Sequence, residues 1–300
     1  MRVLILGGTK YLGRHLVEHA LQAGHDVTLF NRGRTGTALF PGVPRLIGDR
    51  TADGDPAGLT ALGTGTWDMV VDFSGFHPGQ VAATAGLLAP RIGQYVFMSS
   101  IAVYPRSAEA GRSEDARLLP PEPDNGEYGN LKVGCEQAAE AAVPGRATFV
   151  RAGLITGPGD PFGAFTSWAL AMAGDGVVPC AARATQPVQV TDVRDLAAFL
   201  LRIGPGPYNV VPPPMTFAQM LETCRRAAGG TATVKWTPDE NVDDLGGFIV
   251  QPRDGSEDGM FQLSGERARV AGYLARPFAE TARDTIEWAL RTKATFTNPH

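Results

Sequence analysis

Short, wholly apolar runs alternate with longer amphipathic stretches through the first half of the chain. Val3-Leu4-Ile5-Leu6 is rich in branched side chains and is closed by Gly7-Gly8. A run without polar alternation suits a strand buried on both faces, as in a parallel sheet. From Leu12 to Ala23 the apolar residues fall at 12, 16, 17, 20 and 21, a helical spacing, and Gly24 stands where a left-handed C-terminal cap belongs. His25 to Phe30 then reads as a second strand, completing a β-α-β unit. Further strand-like runs occupy Arg45 to Ile47, Met69 to Phe73, Tyr95 to Met98 and Ala147 to Val150, with Gln186 to Val190 and Tyr208 to Val211 beyond them. This alternation predicts an α/β fold built on a doubly wound, mostly parallel sheet.

After residue 154 the pattern loosens into Gly/Pro-rich loops, among them Gly157-Pro158-Gly159-Asp160-Pro161 and Pro212-Pro213-Pro214, with isolated helices between them. Thr216-Phe217-Ala218-Gln219 has the capping-box spacing before an apolar run that Gly229 closes, and Ala279 to Leu290 reads as a terminal amphipathic helix. Residues 238 to 260 carry many acidic residues and little periodicity, which predicts a solvent loop. The expected division places 1–153 and 186–211 in the sheet domain, and 154–185 and 212–300 in a smaller, interleaved C-terminal domain.

Charge and composition narrow the classes of function. The net charge of the 300 residues is −4 and no run of like charges stands out, which disfavours nucleic-acid binding. The three cysteines are an odd count and widely spaced, against both a disulfide framework and a zinc cluster. No stretch approaches the ~20 apolar residues of a membrane helix, and Met1-Arg2 enters the first apolar run without room for a signal peptide. A cytoplasmic location is the expectation.

Two motifs carry chemistry. Gly7-Gly8-Thr9-Lys10-Tyr11-Leu12-Gly13 lies between a predicted strand and a predicted helix, where glycines let the backbone approach a pyrophosphate and the helix start offers amide donors. Tyr128-Gly129-Asn130-Leu131-Lys132 begins a predicted helix over 129–142, and Ser99-Ser100 ends the strand 95–98. Tyr128 and Lys132, four apart, share a helix face. An ammonium beside a phenol favours the phenolate, which predicts a lowered Tyr128 pKa and a group able to move protons near neutrality. His15-Leu16-Val17-Glu18-His19 matches a zinc-peptidase spacing, but it lies on the helix that the glycine turn opens, so no metal site is expected.

Together these residues resemble the extended short-chain dehydrogenase/reductase family, the NAD-dependent epimerase/dehydratases. The likeness covers residues 1 to 160: Gly7 and Gly13, Asp49, Asp72-Phe73-Ser74-Gly75, Phe97 to Tyr104, and the Tyr128/Lys132 pair, with an echo at Asp192 to Ala197. It implies a Rossmann sheet, a C-terminal substrate domain and a nicotinamide cofactor. Tyr128 would be the general acid/base, Lys132 would hold the nicotinamide ribose and tune Tyr128, and Ser100 would bind the reacting oxygen. Asp49 would contact the adenine. Phe73, Ser74, Gly75 and Ser99 would line the cofactor beside the turn residues Gly7, Thr9, Lys10, Tyr11, Leu12 and Gly13. Dimerisation through a pair of helices is also common in that family.

The departures from the family pattern refine the expectation. Lys10 replaces the middle glycine, and Asn31 followed by Arg32 and Arg34 replaces the carboxylate that holds the adenosine ribose. Losing an anion and gaining cations suits a 2′-phosphate, so NADP(H) is favoured over NAD(H). Ile101 and Ala102 stand where dehydratases and decarboxylases carry acids, which leaves hydride transfer as reduction, oxidation or epimerisation. The usual diphosphate-binding Asn and Arg are replaced within Arg151-Ala152-Gly153-Leu154 and Pro187-Val188-Gln189-Val190, and Arg183 is a candidate stand-in cation. The leading expectation is hydride exchange with a secondary alcohol or ketone of a small polar, sugar-like molecule. A cofactor-retaining sugar-nucleotide epimerase is the alternative. The glycine turn also looks like that of chloroplast stem-loop RNA-binding proteins, a non-catalytic reading opposed by the acidic charge and the intact Tyr128/Lys132 pair.

Overall fold

A computed structural model of the chain describes residues 1–50, 56–122, 126–237 and 249–296. The alternating elements are β1 (Arg2–Leu6), α1 (Tyr11–Gln22), β2 (Asp26–Asn31), β3 (Arg45–Ile47), β4 (Trp67–Asp72), α2 (Pro78–Leu88), β5 (Ile92–Ser100), α3 (Tyr128–Ala142) and β6 (Ala147–Ala152). After them come β7 (Leu154–Thr156), α4 (Thr166–Ala173), β8 (Val177–Cys180), β9 (Pro187–Val188), β10 (Val190–Asp192), α5 (Val193–Leu200), β11 (Gly206–Val210), β12 (Met215–Thr216), α6 (Phe217–Ala228), β13 (Thr233–Trp236), α7 (Glu266–Val270) and α8 (Phe278–Thr292). Seven strands form one sheet in the order β11-β6-β5-β4-β1-β2-β3. Every pairing in it is parallel.

The absence of alternation in β1 has a direct structural cause. Val3 and Ile5 pack on one face of the sheet with Leu12, Leu16 and Val17 of α1 and Leu196 and Phe199 of α5. Leu4 and Leu6 pack on the other with Val81 and Leu88 of α2 and Cys135 and Ala139 of α3. Both faces are therefore dry, as a parallel sheet covered by crossover helices requires. The strand order reverses between β1 and β4, and this switch point is where such sheets bind ligands, beyond the carboxyl ends of the strands.

A separate core joins α4, α6 and α8 through Phe165, Trp168, Phe217, Met220, Ala282 and Ile286, and it continues onto Ile101, Val103 and Tyr104 at the end of β5. The capping box at Thr216 and the left-handed Gly229 are both present. Two sequence expectations change. The strand expected over Gln186 to Val190 is split, with Pro187–Val188 pairing with β12 and Val190–Asp192 with β7, outside the main sheet. Of the expected solvent loop, 238–248 lies outside the described residues. The rest is exposed at Pro252 to Asp254 and at Ser256 but packs inward on either side: Ile249 is fully buried, and Gly259 lies so close to the Glu109 carbonyl that a Cβ would sit 2.1 Å from it. Few apolar residues are enough to bury a segment when each faces the core.

Candidate active site

The glycine turn after β1 has the backbone that a pyrophosphate needs. Gly7 and Gly8 adopt φ of +115° and +83°, open to glycine at little cost. A Cβ on Gly13 would lie 2.9 Å from the Gly8 Cα, so only hydrogen there lets α1 start this close to the turn. Leu12 is buried in the core, leaving its amide, with those of its neighbours, at the helix start. Tyr11 opens the helix at φ +31°, a strained value for a side-chain-bearing residue. Its ring packs edge-on against His15, whose Nε2 lies 2.8 Å from the Pro158 carbonyl. Of the His-x-x-Glu-His spacing, His15 thus packs against the 157–160 loop, while Glu18 accepts from Arg14 at 2.8 Å. Among the described residues no group of His, Cys, Asp and Glu could hold a metal.

The end of β2 is organised by Asn31. Its amide donates to the Gly7 carbonyl at 3.1 Å and its carbonyl accepts from the Gly33 N–H at 3.0 Å. Asn31 therefore braces the turn, an acceptor–donor role that a carboxylate could not fill at Gly7. Arg32, Arg34 and Lys10 are exposed around it, with Arg34 in a loose pair with Asp49 at 3.9 Å. Thr9 faces Thr35 across the same opening at 3.4 Å.

The loop after β4 connects this turn to the second motif. Phe73 lies against both glycines, 3.5 Å from a Cβ built on Gly7 and 3.4 Å from one on Gly13. Ser74 donates its backbone N–H to Asp72 at 2.9 Å. Asp72 is fully buried and also accepts from Arg50 at 2.8 Å and Tyr95 at 2.6 Å. Burial opposes its charge, yet Arg50 and Tyr95 hold the carboxyl below its usual range. Two further Arg50 nitrogens, Nε and Nη2, are buried without a hydrogen-bond partner among the described residues. Gly75 completes the loop, and its carbonyl accepts from Lys132 at 2.9 Å.

Lys132 and Tyr128 stand on the first two turns of α3. The Lys132 ammonium also donates to the Met98 carbonyl at 2.8 Å and lies 5.2, 4.7 and 5.6 Å from the rings of Phe76, Phe97 and Tyr128. Burial lowers its pKa to about 8. Tyr128 is half exposed (51%) in the opening beside it, next to Ser100. Its pKa moves upward, contrary to the sequence expectation. The protein around the ring desolvates the phenolate, and the neighbouring Ser100 hydroxyl only partly offsets this. Lys132 directs its protons at two carbonyls and presents itself to the ring face, so it is not aimed at the phenolic oxygen. Gly129 lets α3 approach the turn after β5, since a Cβ there would sit 2.1 Å from the Ala102 carbonyl.

Ser99 differs from the expectation of a cofactor-lining residue: it is buried, and its hydroxyl donates to Glu136 at 2.6 Å. Arg183 is paired with Asp258 and so is not a free cation. Sequence reasoning missed Glu136, Arg151, Arg50, Tyr95 and Phe76. Glu136 carried a legible signal, since it follows Lys132 by the same four-residue step that separates Lys132 from Tyr128.

Comparison with known proteins bears on the fold. The chain superposes on the UDP-glucuronic acid 4-epimerase of Bacillus cereus in complex with NAD with a TM-score of 0.71 at 15% identity, covering 97% of this chain and 99% of that one. It superposes on the UDP-glucose 4-epimerase of Thermus thermophilus in complex with NAD with a TM-score of 0.65 at 20% identity, covering 96% and 98%. The seven-stranded parallel sheet with flanking helices is the Rossmann-like fold of these epimerase structures. No family model matches the chain. Among curated proteins it is 28% identical over 179 residues to a 2-alkyl-3-oxoalkanoate reductase of Stenotrophomonas maltophilia, spanning 53% of this chain and 52% of that protein. It is 33% identical over 120 residues to chloroplast stem-loop binding protein of 41 kDa b of Arabidopsis thaliana, spanning 35% of this chain and 31% of that protein. The matches thus span from a third to half the length of these relatives. Among the described residues no helix is long and apolar enough to cross a membrane.

Proposed function

We propose that the protein is a nicotinamide-dependent oxidoreductase acting on a secondary alcohol or ketone. One observation carries the reading. The short loop Phe73–Gly75 touches the glycine turn at one end and holds Lys132 at the other, so a dinucleotide on the turn and the Tyr128/Ser100 hydroxyls share one opening. A bound nicotinamide would supply or accept the hydride. The turn residues Gly7 to Gly13 would hold its pyrophosphate, Asp49 its adenine and Lys132 its ribose. Ser100 would orient the substrate oxygen and Tyr128 would donate or remove its proton.

The cofactor proposed is NADP(H). Asn31 is committed to the turn and offers no carboxylate to a ribose, while Lys10, Arg32 and Arg34 are exposed beside it, where a 2′-phosphate would meet three cations. The proposed substrate is small and polar, with 154–185 and 212–300 as its binding domain. Its lack of a diphosphate is supported by the residues at the expected clamp. Arg151 is buried against Glu136, and the Gln189 amide is saturated by Pro212 and Leu263. The epimerase structures support the second reading, in which the cofactor stays bound and hydride returns to the opposite face of a sugar carbon.

Titration with NADPH and NADH, followed by cofactor consumption with a panel of carbonyl compounds, tests both readings. The expected result is tighter NADPH binding, net consumption, and loss of turnover without loss of affinity in Tyr128→Phe. Arg32→Ala/Arg34→Ala should weaken NADPH binding by about tenfold, the scale of about 1.4 kcal/mol, and leave NADH little changed. Tight retained cofactor without net consumption would select the epimerase. Failure to bind either dinucleotide would exclude both.

A further inference from the structure

Helix α3 faces the end of β5 on three successive turns and is hydrogen-bonded to it on two. Tyr128, Lys132 and Glu136 follow one another at four-residue steps on one face. They meet three consecutive residues of β5: Tyr128 stands beside Ser100, Lys132 donates to the Met98 carbonyl at 2.8 Å, and Glu136 accepts from Ser99 at 2.6 Å. Two of these contacts hold side chains of the proposed chemistry. The third holds none, and both of its partners are buried.

Glu136 is gripped from both strands beneath it. Arg151 is the register partner of Ser99 in the β5–β6 pairing, and its guanidinium donates to both Glu136 oxygens, from Nε at 3.0 Å and Nη2 at 2.7 Å. Ser99, Glu136 and Arg151 are 6, 4 and 4% exposed. The remaining Arg151 nitrogen donates to the Tyr104 hydroxyl at 2.9 Å and the Glu114 carbonyl at 3.0 Å. Tyr104 donates in turn to Asn209 at 2.7 Å, and the Asn209 N–H donates to Glu114 at 2.7 Å. Each member is satisfied, so the network is stiff, and a bidentate charged pair leaves little freedom of orientation.

We propose that Glu136, acting through Ser99, is the positioning residue of the site. It sets the height of α3 against β5 and so fixes the register between the Tyr128 phenol and the Ser100 hydroxyl. This role rests on the reading of Tyr128 as the proton-transfer group, but the register itself can be measured without any substrate. The Arg151 side of the pair stays intact in Ser99→Ala, which removes only the link to β5.

The test follows the Tyr128 titration by NMR of ring-labelled tyrosine, assigned with Tyr128→Phe, alongside NADPH affinity and turnover. In Ser99→Ala, α3 loses its grip on the serine pair and the Tyr128 phenol moves away from the Ser100 hydroxyl. Its titration should move upward by about half a pH unit or more, a threefold change. Turnover should fall about tenfold with KM and NADPH affinity within about twofold. Ser99→Thr, which keeps the hydroxyl, should restore both. If Ser99→Ala melts too low to assay, Ser99→Cys, a near-isostere with a weak donor, should give the same shift in smaller measure. A wild-type titration and turnover in Ser99→Ala would overturn the proposal and leave the pair an ordinary core contact. Should the wild type consume no cofactor with any carbonyl, the oxidoreductase reading falls while the titration still decides the register.

Discussion

Tyr11 and Lys132 show how much one buried polar atom can decide. The Tyr11 hydroxyl is buried beneath the loop after β7, without a hydrogen-bond partner among the described residues. An unpaired buried hydroxyl costs about 1–3 kcal/mol, more than the small void its removal leaves. Tyr11→Phe is therefore expected to stabilise the protein by about 1 kcal/mol, read as a raised midpoint in urea. Lys132 gives a prediction in pH. Burial brings its pKa down to about 8, whereas in the unfolded chain it lies near ~10.4. Between these values the unfolded state binds the extra proton, so the cost of burying the ammonium, present in full below pH 8, is relieved as pH rises toward about 10.4. Stability relative to Lys132→Met should climb across that window, as denaturant unfolding at a series of pH values would show. The Tyr128/Lys132 pair was legible because a four-residue step is a local property of a helix. The direction of the Tyr128 shift was not, because it depends on what surrounds the ring and on the carbonyls of Gly75 and Met98 that claim the ammonium.

At the level of elements, the glycine turn and α1 act as one piece. Gly13→Ala would place a methyl 2.9 Å from the Gly8 Cα and push the helix start off the turn. The expected outcome is at least a tenfold loss of NADPH affinity, measured by fluorescence titration, with the circular dichroism of the sheet and helices retained. The strands and their order of appearance were readable from apolar runs and glycine punctuation, since a parallel sheet leaves that mark on every strand. What escaped was pairing at a distance. Nothing local in Gln186 to Asp192 separates a strand of the main sheet from the two short ladders it forms with β12 and β7. Nor does Arg151 announce that the β5–β6 register seats it beside Ser99.

Across the whole molecule, charge clusters tie late segments back to the start of α5, which packs on the sheet. Asp192 accepts from Arg194 and from Thr281 of α8, and Arg194 also donates to Asp284 at 2.6 Å. Burial opposes the charge on Asp192, but the Arg194 hydrogen bonds outweigh it and hold the carboxyl below its ordinary value. A depressed pKa contributes stability that is complete above the unfolded value near ~3.9 and lost as pH falls through the folded one. Asp192→Asn should cost about 2–4 kcal/mol at neutral pH, and the gap from wild type should narrow on acidification below about 4 in pH-resolved melts. The order of the sheet carries one more consequence. Its last strand, β11, reaches β6 only after the chain has left to build β7, α4 and β10. A fragment cut after residue 160 would therefore bare a long ladder of hydrogen-bonding groups along β6, open to any other extended chain. On a ribosome the same holds until the seventh strand emerges, so the nascent protein matures as an inseparable whole rather than as a finished first half awaiting its second.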